Sequence, residues 1–163
     1  MEQALTLRLI TPDDSDFLYR VYASAREAEL ALTGWDDAQK MAFLRMQFNA
    51  QHAYYQEHYT TAQFLIIELE GEPIGRLYVV QWPDEIRIID IALLPEYRDR
   101  GYGTQLLDHI LAEGARAGLP VTIHVEQFNP ALKLYERLGF RPITAHGVYY
   151  LMEKKPSAVQ DER

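Results

Sequence analysis

LTLRLI, Leu5 to Ile10, alternates apolar and polar positions, the two-residue period of a half-buried strand. Thr11 and Pro12 then supply an N-cap and a first helical residue, and Phe17, Leu18, Val21 and Tyr22 recur on one side of the helix they open. After TGW, Asp36 or Asp37 caps a long helical pattern through Met41, Leu44, Phe48 and Tyr55. Its apolar band is broader than that of a simple amphipathic helix, so one edge is a candidate pocket lining. QFLIIELE, EPIGRLYVVQW and EIRIIDIALLP read as three strands, and the tight connections EGEP and Pro83-Asp84 predict an antiparallel meander.

From Thr104 the period lengthens, with Leu106, Leu107, Ile110, Leu111 and Ala115 on a helix that ends near Gly118 and Pro120. VTIHVEQF is a further strand. NPALKLYERLGF carries three helix-boundary signals: Asn129 as N-cap, Pro130 at the first helical position and Gly139 just past the end. FRPITAH and GVYYLMEK form a last hairpin, whose edge is a possible dimer surface. Residues 1–155 read as a single domain without repeats or linkers, and polar residues 156–163 as a frayed tail.

Composition narrows the function classes. Hydrophobic residues make up 48% of the 163 and charged residues 25%, the balance of a soluble globular domain. Acidic residues outnumber basic ones 24 to 16, and the net charge of -8 disfavours nucleic acid and anionic membranes while favouring cationic partners. The chain has no cysteine, which excludes disulfides, thiolate nucleophiles and cysteine-ligated metals. The early Glu2 and the lack of a long apolar run predict neither a signal peptide nor a membrane span, so a cytoplasmic protein is expected.

PEYRDRGYGTQLL, Pro95 to Leu107, is where chemistry is expected. A strand end, a short turn and a helix starting near Gly101 leave backbone N–H groups at the helix N-terminus without intrahelical partners. With the helix dipole they make an anion site, and glycines let a phosphate approach the backbone. An ordinary strand-to-helix turn that needs positive φ angles accounts for the same residues. A dinucleotide fingerprint is excluded because Leu106 stands where its third small residue belongs, and a nucleoside-triphosphate loop because Thr104 follows Gly103 without a lysine.

IALLPEYRDRGYGTQLL resembles the cofactor motif of the GNAT superfamily of acyl-CoA-dependent N-acetyltransferases, Arg/Gln-x-x-Gly-x-Gly/Ala after a strand. NPALKLYERLGFR resembles the family's second motif, and the two occur in the family's order. The resemblance covers Leu5 to Glu153. It implies the α/β GNAT fold: a mixed, mainly antiparallel sheet, splayed at the centre and flanked by helices on both faces. It also implies that the backbone of Arg98, Asp99, Arg100, Gly101, Tyr102, Gly103 and Thr104 holds the pyrophosphate of acetyl-CoA. Leu93 and Leu94 would pair with the pantetheine arm, and one of their N–H groups would polarise the thioester carbonyl. Asn129 would lie near the pantetheine, or act only as the helix cap.

Within the same resemblance Tyr135 would protonate the departing thiolate, although packing between Leu132 and Leu138 also accounts for it. Family members often draw a proton from the amine with a carboxylate on the central strand. This chain offers Asp90 and, farther back, Glu85, while Ile89 stands where some relatives keep the acid. A one-residue offset turns a side chain to the other face of a regular strand, and a bulge can restore it. Glu126 and His124 on the next strand are the other candidates. His52 and His58, six residues apart, do not share a helix face, and no metal is expected. Trp35, Tyr54, Tyr55 and Tyr59 either wall the acceptor or pack the first helices on the sheet.

The expected activity is acetyl transfer to a primary amine of a small molecule or peptide, by direct attack in a ternary complex, since no cysteine is present to carry the acyl group. The alternative is a non-catalytic acyl-CoA-binding or interaction domain.

Overall fold

The computed structural model describes residues 4–156, so the tail expected from 156 onward lies outside the described residues after its first position. In chain order the elements are β1 (Leu5–Leu9), α1 (Ser15–Ser24), α2 (Glu27–Ala31), α3 (Asp37–His58), β2 (Gln63–Leu69), β3 (Glu72–Gln81), β4 (Ile86–Leu93), α4 (Tyr102–Ala117), β5 (Val121–Glu126), α5 (Leu132–Arg137), β6 (Arg141–His146) and β7 (Tyr149–Lys154). Short 3-10 turns at Pro12–Asp14 and Pro95–Tyr97 precede α1 and follow β4. The strands form one seven-stranded sheet in the order β1-β2-β3-β4-β5-β7-β6.

The sheet is mixed. β1–β2, β5–β7 and β6–β7 are antiparallel, whereas β4 and β5 are parallel because α4 carries the chain back between them. The parallel ladder is short: it runs from Ile86↔Val121 to Ile88↔Ile123, although β4 continues to Leu93 and β5 to Glu126. A mixed, mostly antiparallel sheet with helices is the fold class expected.

The chain divides into two compact units, one comprising residues up to Leu77 with Ile91–Arg98, the other Tyr78–Asp90 with Asp99 onward. In the first, α1 and α3 lie together, with the Tyr22 and Phe48 rings 5.8 Å apart, and both helices bury their apolar positions. Asp36 caps α3 by accepting the Gln39 N–H at 2.8 Å, and the Gln39 side chain accepts the Asp36 N–H in return. The turn between β2 and β3 takes positive φ at Glu70 (51°) and Gly71 (87°), the geometry of a tight hairpin. In the second unit α4 buries Leu106, Leu107 and Ile110, and it packs so closely on β5 that a Cβ on Gly114 would lie 2.9 Å from Val121 Cγ2. β6 ends the sheet with all six of its residues exposed, and a register shift lies between Pro142 and Thr144.

Two expectations are corrected. The helix expected to open at Pro12 begins at Ser15, after the 3-10 turn over Pro12–Asp14, and a separate short helix, α2, follows at Glu27–Ala31. The helix expected at Pro130 begins two residues later, at Leu132, because Asn129 closes a turn first: its Oδ1 accepts the Ala131 N–H at 2.8 Å and its carbonyl the Leu132 N–H at 3.0 Å.

β1 is fastened to α1 and β2 by one guanidinium. Arg8 donates to both carboxylate oxygens of Asp14 at 2.9 Å and to Glu68 at 2.7 Å, while the Thr11 N–H donates to Asp14 at 2.7 Å. Arg8 is the largest cause of a lowered Asp14 pKa, about 2 against an ordinary 3.8. A carboxylate depressed in the fold stabilises it above the unfolded pKa and loses that contribution as pH falls through the folded one. Asp14→Asn is therefore expected to cost about 1–2 kcal/mol at pH 7, discounted for the partly exposed arginine, with the gap closing between pH 4 and pH 2. Thermal melts of both proteins across that range check this, and a pH-independent difference would contradict it.

Candidate functional site

The site begins where β4 ends. Inside β3 stands Gly75, where an added Cβ would overlap the Ala92 carbonyl oxygen and lie 2.9 Å from Leu93 Cδ2 and 3.0 Å from Leu93 Cα. The Ala92 carbonyl thus occupies space that a side chain would claim, so β4 is displaced from a regular ladder at this point. Because a trans peptide sets its N–H opposite its carbonyl, the Leu93 N–H points away from Gly75. The following peptide is held at both ends. Its N–H, from Leu94, donates to the Ile74 carbonyl at 2.9 Å, and its oxygen, on Leu93, accepts from Arg98 Nε at 2.9 Å. Of the two N–H groups singled out in the sequence, that of Leu94 is therefore committed to the sheet. Gly75 was not among the expected site residues, although a lone glycine inside an apolar strand is a signal of close backbone approach.

After the Pro95–Tyr97 turn the backbone is extended at Arg98 (φ -79°, ψ 159°), left-handed at Asp99 (φ 61°) and left-handed again at Gly101 (φ 88°), from which α4 starts. A left-handed non-glycine residue is uncommon, and the recurrence of that conformation two positions later at Gly101 turns the chain sharply into the helix. The first intrahelical bond of α4 is donated by Gln105 to the Gly101 carbonyl at 3.0 Å. The N–H groups of Tyr102, Gly103 and Thr104 precede it, and Gly101 has no side chain to cap them. The Tyr102 side chain is buried and anchors the turn from below.

The two glycines differ in what the fold asks of them. Gly101 is required by its positive φ. Gly103 is not left-handed, and a Cβ there would meet nothing within 4 Å. Neither the backbone nor the packing of the chain explains a glycine in the first turn of this helix.

Tyr135, on α5, is buried, with its ring edge-on to Phe140 at 5.9 Å. Burial first, and the nearby Asp90 charge second, push its phenol well above the ordinary value. Asp90 and Tyr135, selected separately in the sequence, are thus electrostatic neighbours. Asp90 is half-buried on β4, two residues before the displaced Ala92 carbonyl. Glu126 is the last residue of β5, half-buried and opposite Tyr149 of β7, and its backbone carbonyl accepts the Asn129 N–H at 2.9 Å. Asn129 uses its side chain on Ala131, as described above. His124 has an exposed face, but partial desolvation of its ring, with the Arg87 charge as the second cause, lowers its pKa.

Glu85 is removed from the candidate bases. Its Oε2 accepts from the Thr122 hydroxyl at 2.6 Å and from Arg87 Nη2 at 2.9 Å, an ion pair that fixes the start of β4 to β5. Of the aromatic residues considered for an acceptor wall, Trp35, just before α3, lies edge-on to Phe43 of that helix at 5.1 Å, and Tyr54 stacks on His58 at 3.9 Å. Among the described residues there is no group of three or more histidines and acids able to hold a metal, and no helix is long and apolar enough to cross a membrane.

Comparison with known proteins places these features in a family context. Residues 24–140 match the family model described as acetyltransferase (GNAT) family. An N-alpha-acetyltransferase of Sulfurisphaera tokodaii is 26% identical over 136 residues, which is 73% of this chain and 81% of that protein. The [Ribosomal protein bS18]-alanine N-acetyltransferase of Escherichia coli K12 is 36% identical over 69 residues, 41% of this chain but only 47% of that protein. Among solved structures, the PaiA N-acetyltransferase of Thermoplasma acidophilum in complex with coenzyme A shares the fold with a TM-score of 0.70 at 18% identity, covering 93% of this chain and 99% of that one.

Gly103→Ala is expected to move two measurements in opposite directions. A glycine within a helix costs up to about 1 kcal/mol relative to alanine, so the melting temperature should rise slightly. If a ligand phosphate needs the open backbone, CoA affinity should fall by roughly an order of magnitude, about 1.4 kcal/mol. Calorimetric melting beside CoA titration checks both, and a stabilised variant with unchanged CoA affinity would detach Gly103 from the site.

Proposed function

The chain belongs to the acetyltransferase (GNAT) family, and from that premise we propose that residues 1–155 act as one catalytic domain that transfers an acetyl group from acetyl-CoA to a primary amine by direct attack in a ternary complex. The observation that carries this reading is Gly103, a helix glycine for which the fold has no use and a phosphate does. The N–H groups of Gly101 to Thr104, with the dipole of α4 behind them, supply a fixed anion cradle for the pyrophosphate.

The pantetheine arm runs along the end of β4, and the Leu93 N–H, directed away from Gly75, donates to the thioester oxygen as negative charge develops there. Asn129 lies beside that arm. Asp90 accepts the amine proton, with Glu126 as the second candidate. Tyr135 then serves the leaving thiolate. Its raised pKa keeps it protonated at any working pH, and makes it a hydrogen-bond donor more than an outright acid toward a thiol of pKa about 8.5. Burial, the larger cause of the raised value, persists throughout; a proton taken up by Asp90 relieves only the lesser one, the neighbouring charge, which makes the phenol a somewhat better donor as the thiolate forms.

Of the two relatives described above, one is named for an N-alpha position and the other for an alanine of a ribosomal protein, and a peptide α-amine is the acceptor class favoured here. Its pKa of about 7.7–8.0 leaves a usable neutral fraction at pH 7, which asks less of the base than a lysine would. Free-thiol release from acetyl-CoA with a panel of peptides bearing free N-termini, beside polyamines, tests the reading. CoA binding without turnover on any acceptor would instead support the non-catalytic alternative.

Two variants separate the proposed roles. Tyr135→Phe keeps the ring against Phe140, so stability and CoA affinity should hold while kcat falls by about 10²-fold, the low end for general acid catalysis. Equal kcat values where chemistry limits the rate would return Tyr135 to core packing. Asp90→Asn should depress turnover most at low pH, where neutral amine is scarce. An unaltered pH–rate profile would pass the role to Glu126, with Glu126→Gln as the parallel measurement.

A further inference from the structure

We infer that Arg98 is a positioning residue for the pantetheine half of acyl-CoA and not a phosphate ligand, because its guanidinium ties the end of β4 to the end of α1. The inference rests on the acyl-CoA reading above. Arg98 Nε donates to the Leu93 carbonyl at 2.9 Å, and Arg98 Nη2 donates to Ser24 Oγ at 3.3 Å. Ser24 is the last residue of α1, and its hydroxyl is itself oriented by donation to the Val21 carbonyl at 2.8 Å. The planar fork therefore spans a strand carbonyl and a helix-end hydroxyl, which one ammonium on a flexible stem does not reproduce.

The bond to Leu93 acts on a particular peptide. Ile74 holds its N–H and Arg98 holds its oxygen, so the plane between Leu93 and Leu94 cannot rotate without losing a bond at one end. The preceding peptide, which carries the Leu93 N–H, pivots on the same Cα and is confined on its other side by the close approach of the Ala92 oxygen to Gly75. Arg98 completes this enclosure from the far side of the turn, where its own N–H donates to the Pro95 carbonyl at 3.2 Å. The side chain is thus directed back along β4, toward the strand end, and its charge is spent on carbonyl and hydroxyl oxygens there.

Binding of two probes distinguishes the roles. Whole CoA contains the pantetheine arm, whereas 3′-phosphoadenosine 5′-diphosphate carries the nucleotide and pyrophosphate alone. Arg98→Met, which keeps the stem but removes every donor, should weaken CoA about tenfold, the size of a lost charge-assisted hydrogen bond, and leave the nucleotide probe within about twofold. Arg98→Lys, which keeps the charge but not the fork, should share the defect, and Ser24→Ala should show a smaller loss in CoA alone. Circular dichroism checks that each variant is folded. Equal losses for both probes, or rescue by Arg98→Lys, would make Arg98 a phosphate ligand and overturn the inference with the acyl-CoA reading intact. Unchanged affinities in all variants would also overturn it. A wild-type protein that binds neither probe would remove the acyl-CoA reading itself.

Discussion

The Ala92 carbonyl sits where only a glycine at position 75 leaves room, and the geometry of the β4 end follows from that contact. One turned-out carbonyl directs the Leu93 N–H the opposite way and delivers the next peptide to Ile74 and Arg98. The proline turn that follows hands the chain to a left-handed Asp99 and a left-handed Gly101, and α4 begins with a first turn that no side chain at Gly101 can cap. Each step is a local backbone event. The strand end and the helix start each expose backbone N–H groups whose direction is set by the chain itself, and donors held in place in advance are the ones most effective in catalysis.

Electrostatics around Tyr135 complement this arrangement. A buried phenol beside a carboxylate is a poor acid at rest and a better one once that carboxylate has taken a proton. The same low-polarity setting that raises the phenol strengthens its hydrogen bonds. Glu85, by contrast, is neutralised by Arg87 and Thr122 at the opposite end of β4, where the short parallel ladder with β5 starts. One strand therefore carries a structural acid at its beginning and a candidate chemical one near its end.

Most of the fold is legible in the sequence because its signals are local. The Asp36 cap, the hairpin at Glu70 and Gly71, and the glycine after α4 each act through neighbours a few residues away. The turn from Arg98 to Thr104 is legible for the same reason, down to the uncertainty over its glycines, which splits cleanly between Gly101 and Gly103 once space and φ are known. What sequence patterns do not carry is contact between distant residues. Gly75 looks like a weak point in a strand until Ala92 lies over it, Arg98 enters the sequence reading through its backbone alone until its side chain is seen to reach Leu93 and Ser24, and Glu85 looks like a free acid until Thr122 arrives. The late starts of α1 and α5 are one-turn matters, settled by which of several competent residues closes the backbone first.

β6 has a bearing on how the protein behaves in bulk. It is the last strand of the sheet, exposed along its whole length, with Ile143 among its outward residues. Such an edge is a template for fibril-like stacking in a concentrated solution. Pro142 has no N–H to offer, and the register shift between Pro142 and Thr144 kinks the strand where a second chain would dock. Only Thr144–His146 remain as a straight run, shorter than the six or seven residues that a dry zipper needs. At this edge, resistance to strand addition therefore rests on one proline and one misaligned isoleucine, and a repair of that kink intended to lengthen the sheet would weaken it.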